Sequence, residues 1–420
     1  GTLTIAAFTQ NHPAGLLPAS TNGVEIGIFR MTAVRENIKV EKLYLTATST
    51  RTRTAAQTAS AFNQIRAIHL YDGGTRLTPE GGVQPTTTSY TETGASGATS
   101  NATVLIDVTS NPIVVPTDRA LDISVKVDTQ AVTRYPQAST GVPGQGFTMS
   151  INAVGDVTAK GSQSGTTLAA GSKTLSGNAF NAWTVMNNVP IVTVYNDLAT
   201  SDKIGSSATL PKLTAGTQKE LYKFKVAAES GPSDVFLQQV TLAFDQQKAT
   251  ITNPFIIRAD SGSQVAATTT SPVTHIITAS RLLQAFNFWF TSDGLAPTNI
   301  THSPQQLSPG GSRLFTIKGD IACWTDNGCG TTNPSGSLQV SFLGDTAFPT
   351  TYPDNSVTLY NPGANVNKFV WSDASIIGPL GVASGTATTS EQWFNGFRVR
   401  SAVSAIGRLQ ATTTDVTWNP

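Results

Sequence analysis

Val24–Ala33 reads VEIGIFRMTA and Glu220–Ala228 reads ELYKFKVAA, two stretches of alternating apolar and polar residues that align so that Phe29 answers Phe224. Alternation of this kind is the mark of a half-buried strand. Working outward, the same order recurs. Leu43-Tyr44-Leu45 answers Val240-Thr241-Leu242, and Leu70-Tyr71-Asp72-Gly73-Gly74 answers Arg258-Ala259-Asp260-Ser261-Gly262. Further on, Ile123-Ser124-Val125-Lys126 answers Phe315-Thr316-Ile317-Lys318, and Gly155-Asp156 answers Gly344-Asp345. Each match is weak alone, but the collinear order argues that one β-rich module is written twice.

Candidate strands fill both halves, separated by Gly, Pro, Asn and Asp. Helical spacing is scarce, with Ala55–Phe62 and Ser280–Leu283 the only short candidates. The expected class is therefore all-β, two tandem immunoglobulin-like or jelly-roll-like β-sandwiches with long Thr/Ser/Gly loops. Residues 1–188 are expected to form the first module, and residues 189–420 the second with an extended C-terminal part. The tracts Pro85–Asn101, Ala159–Lys173 and Ser261–Ser271 are too polar for core and too long for tight turns, so they are read as loops.

Charged residues make up 13% of the 420, about half the roughly 25% usual for soluble proteins, while Thr, Ser, Ala and Gly abound. Strand faces turned to water must then carry hydroxyls, and such neutral surfaces repel one another weakly. A net charge of +1 with scattered basic residues gives no footprint for nucleic acid. No uninterrupted apolar run is long enough for a membrane helix. The chain starts at Gly1 without a basic-then-apolar leader, which is read as a processed, exported form. Cys323 and Cys329 flank the turn-forming run Asp326-Asn327-Gly328, so a local disulfide is expected, in an oxidising extracellular setting.

The runs VEIGIFRMTAVRENIKVEKLYLTATS, IHLYDGG, IVVPTDRALDISVKVD and INAVGDVTAKGSQSGTTL, with LTAGTQKELYKFKVAAESG and RLFTIKGDI in the second half, carry a family resemblance. So do Trp371-Ser372-Asp373 and Trp393-Phe394-Asn395-Gly396-Phe397. Together they resemble the repetitive immunoglobulin-like β-sandwich cell-surface proteins, of surface-layer or filament type, of small uncultivated bacteria. The resemblance implies an exported, self-assembling or adhesive protein at the cell surface. No cell-wall-binding repeat or membrane anchor of the longer members is visible in this chain.

Catalytic motifs do not stand out. Gly161-Ser162-Gln163-Ser164-Gly165 lacks the strand-to-helix setting of a nucleophile elbow, and no phosphate-binding Gly loop opens a helix. A non-enzymatic role without cofactor is expected. Calcium is the one metal that the turn acids Asp72, Asp260 and Asp326 would suit, although Asp-Gly turns form readily without it.

Candidate assembly residues are Leu3, Ile5 and Phe8 of the first strand, which could exchange between subunits, and the aromatic anchors Trp289 and Trp418. The expected function is a structural subunit of an extracellular filament or surface layer that polymerises with copies of itself. The alternatives are a cell-surface adhesin or carbohydrate-binding protein that meets glycans of a host or neighbouring cell, and a viral coat or tail protein.

Overall fold

A computed structural model of the chain describes residues 1–8, 12, 14–49, 64–85, 101–132, 144–195, 215–268, 273–278, 281–290, 303–323, 337–346, 367–374, 393–401 and 416–418. It divides into two compact units, Gly1–Asn187 and Asn188–Pro420. The first contains β1 (Thr2–Phe8), β2 (Gly15–Pro18), β3 (Val24–Val34), β4 (Ile38–Ser49), β5 (Ile65–Asp72), β6 (Thr75–Arg76) and β7 (Asn101–Asp107). It continues with β8 (Ile113–Val115), β9 (Leu121–Thr129), β10 (Gln145–Ser150), β11 (Val157–Gly161), β12 (Lys173–Ser176) and β13 (Trp183–Met186). The second contains β14 (Pro190–Tyr195), β15 (Gly216–Ala228), β16 (Val235–Gln247), β17 (Ala249–Arg258), β18 (Gln264–Thr268), β19 (Val273–Thr278) and β20 (Arg281–Phe290). Then follow β21 (Gln305–Leu307), β22 (Ser312–Cys323), β23 (Ser337–Phe342), β24 (Phe369–Ser372), β25 (Trp393–Asn395), β26 (Arg400–Ser401) and β27 (Val416–Trp418). Among the described residues helical backbone is confined to Gln64 and two single 3-10 turns, Val154–Asp156 and Ala170–Ser172. The protein is all-β.

In the first unit a six-stranded sheet ordered β12-β1-β3-β9-β5-β6 faces a seven-stranded sheet built on β4, which pairs β7, β8, β10 and β11. Alternation decides the facing. Along β9, Leu121, Ile123, Val125 and Val127 are buried while the residues between them are not. They share one core with Phe29 and Met31 of β3 and with Val40, Leu43, Leu45, Ile106 and Phe147 of the other sheet. This is the interior of a two-layer sandwich.

The second unit repeats the pairing scheme for twelve strands, with β2 in the first unit and β19 and β25 in the second left over. β1 lies between antiparallel β3 and parallel β12, and β14 lies between antiparallel β15 and parallel β26. The ladder β3-β9-β5-β6 corresponds to β15-β22-β17-β18, and β7, β8, β10 and β11 on β4 correspond to β20, β21, β23 and β24 on β16. β13 on β10 corresponds to β27 on β23. The registers agree as well. Phe29 is opposite Ile123 as Phe224 is opposite Phe315, and Leu43 is opposite Ile106 and Val157 as Val240 is opposite Phe288 and Phe369. One difference is that β18 pairs both β17 and β20, so the two layers of the second unit join along one side. Its interior is aromatic, with Phe224 against Phe315 and Phe342 at ring centroid distances of 5.1 Å each.

Three expectations need correction. Of the tracts read as loops, Ala159–Lys173 begins within β11 and ends at the first residue of β12, and Ser261–Ser271 contains β18. Ladder pairing recruits polar Thr, Ser and Gln as readily as apolar residues, because it bonds backbone to backbone. Pro85–Asn101 lies mostly outside the described residues. Ser280–Leu283 was expected to turn helically, but Arg281, Leu282 and Leu283 run in β20, paired to β16 on one side and β19 on the other. Ladders on both edges satisfy more backbone than one helical turn can. Ala55–Phe62 lies outside the described residues. The repeat landmark at the hairpin is also shifted by two residues: Asp72 faces Ile123, but it is Arg258 that faces Phe315. Gly73-Gly74 closes the first hairpin between Asp72 and Thr75, whereas the second closes more widely, with the Arg258 N–H donating to Ser263 O at 3.0 Å.

Candidate assembly surfaces and a repeated acid clasp

The first strand is held at home in this structure. Leu3 and Ile5 of β1 are 1% and 3% exposed and belong to the core of their own unit, which follows from their alternation and from ladders on both sides. Phe8 ends the strand half-buried, with the Arg30 guanidinium 4.6 Å above its ring. Trp289 is 1% exposed, so both faces of β20 are buried, Phe286, Phe288 and Phe290 on one and Trp289 on the other. Trp418 lies in β27 with its backbone opposite Leu338, so this segment docks in its own unit. Its side chain is outside the described residues.

The turn acids divide. Asp72 is exposed at the β5–β6 hairpin. Asp260 has both carboxylate oxygens on the Arg258 guanidinium, at 3.0 and 2.5 Å, and this pairing holds its carboxyl below the usual range. Asp326 lies outside the described residues, as does Cys329, while Cys323 is the last residue of β22, opposite Ala249. Among the described residues no group of three His, Cys, Asp or Glu could hold a metal ion.

The outward faces of the first unit carry rows of threonine. Thr174, Thr4 and Thr32 line up across β12, β1 and β3. On the other sheet Thr48 is opposite Thr148, and beside them the buried Thr46 has its hydroxyl 2.9 Å from that of Thr103. β-Branched threonine suits the pleat and keeps a hydroxyl for water or a neighbour. Tyr44, Val34 and Val114 are the exposed large apolar side chains among the described residues.

Sequence reasoning missed a feature present in both units. The Ile123–Lys126 and Phe315–Lys318 match extends two residues further, to Asp128 and Asp320, and carrying that register forward would have found it. Asp128 accepts the Gly23 N–H at 2.8 Å and also meets His69 Nε2 at 3.2 Å and Arg66 Nη2 at 3.4 Å. Burial pushes its carboxyl up, but the Gly23 N–H, the imidazole and the guanidinium together hold it below the ordinary range. Asp320 accepts the Gln218 N–H at 2.8 Å and the Asn253 amide at 3.2 Å, which lower it likewise.

Bulges accompany both acids. Beside Asp128 lies the one between Ile65 and Ala67, while the β3 bulge between Glu25 and Gly27 faces Lys126 and Val125. Those beside Asp320 lie between Gly216 and Lys219 and between Thr252 and Phe255. Gln218 and Asn253 both adopt left-handed φ of 49°, unfavourable backbone that the carboxylate helps fix.

A third acid, Asp345, is buried after β23 and accepts the N–H groups of Gly396, Lys368 and Phe369 at 2.7, 2.9 and 3.2 Å. Burial raises its carboxyl above the usual range while the three N–H groups pull the other way. It joins the chain after β23 to the start of β24 and to the turn after β25.

The geometry defines the class as an all-β protein of two units with one pairing scheme. No family model matches the chain, and no curated protein matches it. Among solved structures it is similar to one titled BspA_C_WT, at 9% identity and a TM-score of 0.17 over 81% of this chain and 95% of that one. It is also similar to the full-length RrgB pilus protein from Streptococcus pneumoniae, at 10% identity and a TM-score of 0.18 over 81% of this chain and 48% of that one. At such TM-scores neither likeness bears on function.

Proposed function

We propose that this chain is a non-enzymatic structural subunit of an extracellular polymer, a filament or a surface layer, made from copies of itself. The observation that carries the reading is a duplicated sandwich whose first unit bears neutral threonine rows on its outward faces. Such rows cost less to dehydrate than charged side chains do and bring no like charges against a neighbour, so apolar and backbone contacts at their borders decide association. On this reading Cys323 and Cys329 form the expected local disulfide, and no calcium or other cofactor is required.

Against the adhesin alternative, the four tryptophans with described side chains, Trp183, Trp289, Trp371 and Trp393, are at most 8% exposed, so none offers a face for a sugar to stack on. Negative-stain images of purified protein test the proposal. Ordered fibres or sheets support it, and monodisperse particles at high concentration that bind glycans sink it.

Strand exchange is the more specific form of the proposal. A cysteine pair at the facing positions Thr4 and Thr32 would lock β1 to its own β3. If subunits exchange β1, oxidised Thr4→Cys/Thr32→Cys protein should stay monomeric and polymerise on reduction. Equal polymerisation in both redox states would leave assembly to the outward faces and rule out exchange.

A further inference from the structure

Two Asn-Gly steps lie in described backbone, Asn22-Gly23 in the first unit and Asn395-Gly396 in the second, and they have two kinds of hydrogen bond in common. The glycine N–H donates to an aspartate in each: Gly23 to Asp128 Oδ1 at 2.8 Å, and Gly396 to Asp345 Oδ2 at 2.7 Å. In each, the asparagine Oδ1 also accepts a donor, the Arg66 guanidinium for Asn22 and the Phe397 N–H, at 3.1 Å, for Asn395. Glycine has no Cβ to crowd its own nitrogen as that atom approaches the preceding side chain. A base on the nucleophile's proton and a donor on the oxygen that gains charge are what ring closure on an amide needs.

We propose that Asn22 and Asn395 are self-modification sites, each cyclising with the nitrogen of the following glycine to a succinimide. The glycine nitrogen bonds to the asparagine Cγ and the Cγ–Nδ2 bond breaks. The glycine N–H proton passes through the aspartate to Nδ2, which leaves as ammonia. No oxidant or reductant is involved. Water then opens the ring at either carbonyl, giving aspartate or isoaspartate.

Burial separates the outcomes. Asn22 is exposed, so its ring meets water and ends as the hydrolysed mixture. Asn395 is 3% exposed, its Nδ2 donates to Asn367 Oδ1 at 3.3 Å and its carbonyl accepts the Trp371 indole N–H at 2.8 Å. With little water at hand, the imide there persists. Ring closure also removes the Gly396 N–H from Asp345, which leaves that buried carboxylate with fewer donors and loosens the junction of β24 and β25.

The test is peptide mapping by mass spectrometry after prolonged incubation of the full chain in warm neutral buffer, folded and in urea. General-base assistance is typically worth 100-fold or more, so about tenfold faster conversion in the folded chain is a conservative expectation. The ammonia-loss product should dominate at Asn395, and isoaspartate at Asn22. Asp128→Asn and Asp345→Asn should bring their sites down to the urea rate. Conversion in the folded chain no faster than in urea overturns the proposal at that site, and so does cleavage after the asparagine in place of ring closure. A folded aspartate variant that keeps the wild-type rate also overturns it. Should Asp345→Asn fail to fold, the folded-against-urea ratio of the unmutated chain still decides.

Discussion

Several carboxylates among the described residues fix backbone, Asp128, Asp320 and Asp345 among them. Glu36, in the turn between β3 and β4, accepts the Ser164 N–H at 3.0 Å, the Ser164 hydroxyl at 3.0 Å and the Gln163 N–H at 3.1 Å. These bonds, the Ser164 N–H foremost, lower its carboxyl from the ordinary 4.5 to about 2. A folded value below the unfolded one means that the contribution is complete above pH 4.5 and fades as pH falls towards 2. Glu36→Gln should therefore lower the urea midpoint at neutral pH and converge with the unmutated protein near pH 2. A gap that stays constant across that range would show that Glu36 acts by shape alone. Glu36 did not stand out in the sequence, because one Asp or Glu among 26 announces its partners only when distant turns have been brought to it.

Bulges and tight contacts adjust the otherwise regular strands. At the β3 bulge, a Cβ on Gly27 would lie 2.5 Å from Phe180 Cδ1, and the Phe180 ring in turn rests on Phe29 with centroids 4.5 Å apart. The glycine leaves the space that the ring fills. Gly27→Ala should cost about 1–3 kcal/mol through overpacking, read from the urea midpoint. Combining it with Phe180→Leu should cost less than the two separate losses added together, since the smaller side chain makes room for the methyl group. Strict additivity would place the strain in the backbone. Strands such as β9 and β22 were legible because alternation records one buried face, and their partners were legible from the repeat. The bulges and the wider second hairpin were not, since an inserted residue shows in sequence only as a drift of register between copies.

The strand pairing supports a duplicated fold more strongly than the sequence matches do. Twelve strands of each unit correspond in chain order, β1 and β3–β13 with β14–β18, β20–β24, β26 and β27 once β19 and β25 are set aside as additions to the second copy. Gly155-Asp156 and Gly344-Asp345 show how the copies diverged: Asp156 directly precedes β11, while Asp345 reaches the equivalent β24 only through space, by its bonds to the Lys368 and Phe369 N–H groups. The chain between Asp345 and Lys368 is thus an insertion that the buried carboxylate closes.

Because the first copy has its own core, running from Leu3 to Val185, residues 1–187 expressed alone should fold as a β-rich domain. It should unfold in urea in one cooperative transition, with a slope of about 1–3 kcal/mol/M. A broad, non-cooperative transition would mean that the first copy depends on the second for its fold. Duplication would then have produced one interdependent body, and a polymer built by stacking equivalent units would lose its physical basis.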